Sequence, residues 1–147
     1  MARIFLFFLS LFYSLMVNSA SVDNGSYKET FKNGSPKYEI IYKNKLKHGK
    51  EIFWYESGKK KMESHFVNGI EEGSWRQWHK NGQIKLKITY KNGKKNGLWN
   101  QWYKNGQLKS NVEFINGIKQ GVETIWNSNG SIQSRDTYLN GKVTDKN

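Results

Sequence analysis

The chain has 147 residues, with 24 Lys and Arg against 12 Asp and Glu, a formal net charge of +12. One domain is the expectation at this length, and the charge favours anionic partners without choosing among nucleic acid, lipid headgroups, cell-wall polymer or acidic protein. The absence of cysteine excludes disulfides, thiolate metal sites and cysteine nucleophiles, while 6 Trp, 8 Tyr, 8 Phe and 14 Gly with a single Pro argue for short strands and tight turns over a disordered basic tail.

Met1 to Ala20 reads as a targeting segment. Arg3 supplies the positive start, Ile4 to Val17 is apolar apart from Ser10, Tyr13 and Ser14, and Asn18-Ser19-Ala20 offers small residues for cleavage. The pattern predicts a signal peptide helix cut near Ser19 or Ala20, and therefore a secreted or periplasmic product. No later stretch approaches the length of a membrane span, so no transmembrane segment is expected in the mature chain.

From Gly25 onward one unit is written five times at a fixed 24-residue period, as 25–48, 49–72, 73–96, 97–120 and 121–144, with no insertion or deletion. Each unit opens on a glycine (Gly25, Gly49, Gly73, Gly97, Gly121) and carries a second at mid-unit (Gly34, Gly58, Gly82, Gly106, Gly130). Trp54, Trp78, Trp102 and Trp126 share one place, which Thr30 takes in the first unit. A late pair recurs as Asn44-Lys45, Asn68-Gly69, Asn92-Gly93, Asn116-Gly117 and Asn140-Gly141, each preceded at two residues by Tyr or Phe.

Asn-Gly predicts a two-residue type I′ turn, because both central residues need positive φ. Each unit is therefore expected to be a β-hairpin with a short aromatic first strand, as in Trp99–Tyr103, and an alternating second strand. In Ile84–Tyr90 the residues Ile84, Leu86, Ile88 and Tyr90 share one face, and Lys85, Lys87 and Thr89 the other. The fold class is all-β: an elongated, twisted antiparallel sheet of tandem hairpins, about 50 Å long. The end units are atypical, and residues 145–147 close the chain as a polar tail.

The pattern G-x-W-x-x-W-Y-x-N-G, followed by an aliphatic residue, an aromatic and a second Asn-Gly, resembles the MORN-repeat variant of bacterial proteins, of the kind grouped as YwqK-like and labelled toxin–antitoxin antitoxins. The resemblance covers residues 25–144. It implies a hairpin array that associates with protein or membrane partners, and it brings no catalytic residues with it.

Two columns invite a functional reading. Trp75 and Trp99 occur only in the central units, so an exposed pair there is the candidate hot spot. Lys37, Lys61, Lys85 and Lys109, with Gln133 in the last unit, form a basic ladder at about 10 Å intervals. It reads either as a polyanion contact or as solvated lysines that keep an open sheet unpaired. Trp54, Trp78, Trp102 and Trp126, with Gly49, Gly73, Gly97 and Gly121, are expected to be repeat framework, the Trp column forming an aromatic spine. His48, His65 and His79 fall at three different places in the repeat, and no metal, cofactor or catalytic motif is found.

The expectation is a secreted, non-enzymatic binding or interaction scaffold with a basic, aromatic-rich surface. A protein partner is favoured, anionic lipid or cell-wall polymer comes next, an antitoxin-like role follows from the family label, and nucleic acid is disfavoured. N-terminal sequencing of the mature protein should begin at Ala20 or Ser21; a product still starting at Met1 would overturn the cleaved segment.

Overall fold

The computed structural model describes residues 23–146; the expected signal helix at residues 1–20 lies outside the described residues. Among the described residues every element is a strand. In order they are β1 (Gly25–Thr30), β2 (Pro36–Lys43), β3 (Leu46–Trp54), β4 (Lys60–Val67), β5 (Ile70–Glu71), β6 (Gly73–Trp78), β7 (Ile84–Lys91), β8 (Lys94–Lys95), β9 (Gly97–Trp102), β10 (Leu108–Ile115), β11 (Ile118–Trp126), β12 (Ile132–Leu139) and β13 (Lys142–Lys146). They form one open antiparallel sheet in the order β1-β2-β3-β4-β6-β7-β9-β10-β11-β12-β13, with β5 on β4 and β8 on β7. Sequence neighbours are sheet neighbours throughout, so the expected hairpin array is what the chain forms.

The two Asn-Gly pairs of a unit make different turns. In the late pair both residues take positive φ, 49° at Asn68 and 81° at Gly69, as a type I′ turn requires. Lys45 stands in the glycine place of the first unit and adopts a φ of 64°. At mid-unit the expectation of type I′ fails. There only the glycine has positive φ, 93° at Gly82, and Gly82 N–H donates to His79 O at 2.9 Å while His79 N–H donates to Gln83 O at 2.8 Å. This is a three-residue loop, a β-turn followed by a left-handed glycine. The asparagine contributes through its side chain: Asn81 Oδ1 accepts from Gln83 N–H at 3.1 Å, and Asn105 Oδ1 from Gln107 N–H at 3.1 Å.

Successive units are tied at both sheet margins. At the type I′ margin each turn donates to the preceding unit: Gly69 N–H to Lys47 O, Gly93 N–H to Glu71 O, Gly117 N–H to Lys95 O and Gly141 N–H to Lys119 O, at 2.8–3.0 Å. The turn asparagine's own N–H finds a side chain of that unit, at one repeat place: Asn24 Oδ1, His48 Nδ1, Glu72 Oε2, Asn96 Oδ1 or Gln120 Oε1. At the other margin Asn81 Nδ2 donates to Lys104 O and Asn105 Nδ2 to Ser128 O. Asp145 and Lys146, expected to lie in a polar tail, continue the scheme instead. Lys142–Lys146 pair with β12, Thr137 facing Asp145 and Asp136 facing Lys146, because the turn at Asn140-Gly141 returns the chain as every earlier one does.

The buried column is one repeat place. Ile40, Ser64, Ile88 and Val112 occupy it, and all are at most 2% exposed. The residues paired to them across the hairpin are Tyr27, Glu51, Trp75 and Trp99. Ile88, Val112 and Phe114 form the central apolar cluster, with Trp75, Leu86, Tyr90 and Trp99 packed against it. Ile88→Ala should lower unfolding free energy by about 3 kcal/mol, since it opens a cavity between fixed strands. Ile41→Ala, at a 44% exposed site, should change it by less than about 1 kcal/mol. Urea denaturation of the two variants checks the ordering; equal losses would displace the column as the core.

Candidate functional site

Trp75 and Trp99 are not the exposed pair that their rarity in the repeat led one to expect. They are half-buried, opposite Ile88 and Val112, and fill the centre of the sheet's inner face. Their repeat place holds Glu51 and Glu123 in the second and fifth units, so the substitution to Trp marks the apolar middle of the array. Trp54, Trp78, Trp102 and Trp126 are half-buried framework at the ends of β3, β6, β9 and β11. They do not form the spine, which is the Ile40–Val112 column. Gly49, Gly73, Gly97 and Gly121 all take positive φ, between 73° and 101°. They lie where the first strand of each unit carries extra residues relative to its neighbour, as between Lys87↔Asn100 and Tyr90↔Lys95, and so bend it.

The lysine ladder is a ladder of bulges. Gln77 faces Leu86 and Trp78 faces Ile84, so Lys85 is an extra residue with no partner. The same shift leaves out Lys37, Lys61, Lys109 and Gln133 in their hairpins. A bulge breaks the two-residue alternation. Lys85 and Lys109 therefore do not stand on the polar outer face with Lys87 and Thr89. They line an open cleft of about 460 Å³ together with His79, Gln101, Trp102, Tyr103, Lys104, Asn105 and Ser128. Gln101 identifies the side, since its Oε1 accepts from Ser110 Oγ at 3.4 Å and Ser110 is buried on the inner face.

The His79 and Tyr103 rings that line the cleft are hydrogen-bonded to the next unit. Tyr103 Oη donates to Trp126 O at 2.8 Å, and Lys109 Nζ sits 5.6 Å from the Tyr103 ring centroid. His79 Nε2 is 2.9 Å from Trp102 O; a carbonyl only accepts, so Nε2 carries the hydrogen. Tyr55 makes the equivalent bond to Trp78 O at 2.7 Å. No carboxylate lines the cleft, and Lys85, Lys104 and Lys109 make no ion pair among the described residues. By contrast Lys37 is held by Glu29 at 2.8 Å, which keeps the Glu29 carboxyl below the usual range.

At the type I′ margin the inner face neutralises itself. Glu51 is 5% exposed and accepts from Lys47 Nζ (2.6 Å), Tyr38 Oη (2.8 Å) and Ser64 Oγ (3.1 Å). Burial, then the bond to Glu51, pushes the Tyr38 hydroxyl far up. Lys119 and Glu123 repeat the pair at 2.7 Å. In the second unit Glu71 stands in the lysine place, and burial, then the charge of Glu51, raise its carboxyl against the opposing pull of Lys47.

Sequence reasoning found Lys85 and Lys109 but not His79, Gln101, Tyr103 or Lys104. The available clue was the column Tyr55, His79, Tyr103 directly after the framework Trp, whose chemistry is shared although the letter changes. His48 and His79 fail to converge because each serves a different inter-unit ladder.

A single sheet of repeated hairpins, each completing its hydrogen bonds on its neighbour, defines a tandem β-hairpin repeat protein. The MORN repeat variant model matches residues 23–44, 47–68, 71–92, 95–116 and 119–140, and the chain belongs to that family. Each match ends on a type I′ turn asparagine (Asn44, Asn68, Asn92, Asn116, Asn140), and from the second match to the fifth the residue after it donates its N–H to the carbonyl of the match's first residue. Comparison with curated proteins finds no match.

Glu71→Gln gives a signed test of the inner-face electrostatics. A carboxyl raised in the folded state costs stability as pH climbs through its folded value, and nothing well below it. The variant should raise the urea midpoint at pH 7 and leave it nearly unchanged at pH 4; a gain confined to pH 4 would reverse the assignment.

Proposed function

We propose that this protein is a non-enzymatic binding scaffold, acting outside the cytoplasm, that engages an anionic partner through the basic cleft between its third and fourth units. The observation that carries this reading is the unbalanced charge. Three lysines converge on a cleft walled by fixed aromatic rings, with no carboxylate among its lining residues. Elsewhere on the inner face Lys47 and Lys119 are matched by Glu51 and Glu123. A cluster of uncompensated ammonium groups is destabilising by itself and is relieved by an anionic ligand.

The fold adds support. An array whose units contact only their neighbours offers an extended surface, and surfaces of this kind are used for recognition. Export is supported by the Met1–Ala20 pattern, and an exported chain would be separated from a cytoplasmic toxin, which disfavours the antitoxin role of YwqK-like proteins.

Binding to a fluorescent anionic polymer should be salt-dependent, and Lys85→Glu with Lys109→Glu should weaken it at least about tenfold and flatten the log–log salt slope by about 2. Titration by fluorescence anisotropy from low to physiological salt reads both. An unchanged affinity in the double variant, with the β-sheet circular dichroism spectrum intact, would remove the cleft from consideration.

A further inference from the structure

Resting on that reading, we infer that the cleft is one register of a longer track built for an acidic polysaccharide that carries one anionic group per disaccharide. The track has three stations. Each consists of a bulge lysine and a fixed ring from the same unit: Lys61 with Tyr55, Lys85 with His79, and Lys109 with Tyr103. In all three the ring is pinned by a bond to the next unit's Trp carbonyl, at 2.7, 2.9 and 2.8 Å. The rings therefore present fixed faces, against which a sugar ring can lie without ordering the side chain first.

The stations end on both sides for visible reasons. In the first unit Lys37 is already occupied by Glu29 at 2.8 Å, and the ring place holds Phe31, which has no polar group to pin it. In the fifth unit Gln133 and Asn127 replace the lysine and the ring. Lys61, Lys85 and Lys109 make no ion pair among the described residues. The track is thus three stations long.

Spacing selects the ligand. The lysines lie on β4, β7 and β10, with one strand between each pair. Two strand spacings are about 10 Å, and the right-handed twist of the sheet adds somewhat to the separation. That is the scale of a disaccharide. DNA presents a phosphate about every 3.4 Å along each strand, so most of its charges would fall between stations. Acidic side chains on one face of an extended peptide recur at about 6.7 Å, which also misses the register. A pyranose chain supplies in addition the flat apolar faces that fit pinned rings, which a glycerol phosphate polymer lacks.

The test uses hyaluronan oligosaccharides, which carry one carboxylate per disaccharide, in lengths from one to five disaccharides, titrated calorimetrically at low salt. Affinity should climb about tenfold with each of the first three disaccharides and then level off. In Lys61→Gln, an exposed change, levelling should come after two. A smooth rise past the third disaccharide, an unshifted plateau in Lys61→Gln, or equal binding of neutral chitin oligosaccharides would overturn the track. Retained, Lys85- and Lys109-dependent binding of single-stranded DNA or pyrophosphate beside any of those results would leave the basic cleft standing without the register. Failure of every anionic probe to bind would overturn both.

Discussion

The structure depends on each turn completing its hydrogen bonds on the preceding unit. A type I′ turn at the sheet margin exposes two N–H groups, and both are met by that unit, one by a backbone carbonyl and one by a side-chain acceptor. No unit can satisfy its turn alone. This makes the array cooperative from neighbour to neighbour and fixes its register, because a slip of one residue would leave both donors unmet and turn the Ile40–Val112 column to solvent. It also explains the tolerance of chemistry at the acceptor place, where Asn, His, Glu and Gln all serve.

Few residues are fully buried, and besides Ile40 in the first unit the buried apolar side chains gather in the middle. Ile88, Val112 and Phe114, covered by Trp75 and Trp99, supply the central cluster. Toward the ends the same places hold Glu51 with Ser64 and Glu123 with Asp136. Glu51 and Glu123 stay inside because lysines four residues earlier on the same strand, Lys47 and Lys119, reach them. The exchange of Trp for Glu along one column thus flanks the apolar centre with ionic shoulders in the second and fifth units, while the first unit returns to an apolar pair, Tyr27 with Ile40.

The same pattern leaves the cleft charged. Carboxylates sit beside lysines at the shoulders, and the bulges carry Lys85 and Lys109 into a stretch of the inner face where none is available. A bulge in every hairpin bends the strand and redirects one side chain per unit. A device that adjusts sheet curvature therefore also gives the surface its periodic charge, and fold and binding surface share one cause.

The sequence alone determined the repeat, its period, the hairpin and the open antiparallel sheet. Those follow from glycines and asparagines whose positive φ is a local requirement, visible at each position. It also located Lys85 and Lys109, since their spacing is the period itself. What it could not determine was anything that depends on register across strands. Trp75 and Trp99 look like surplus aromatics until Ile88 and Val112 are found opposite them, and Lys85 looks like an outward residue until the shift between Gln77 and Trp78 is known. The mid-unit Asn-Gly pairs carry the letters of a type I′ turn, yet their neighbours close a three-residue loop. Alternation along one strand is a local property, whereas a bulge is a mismatch between two strands, and only the tertiary structure decides which residue is left over.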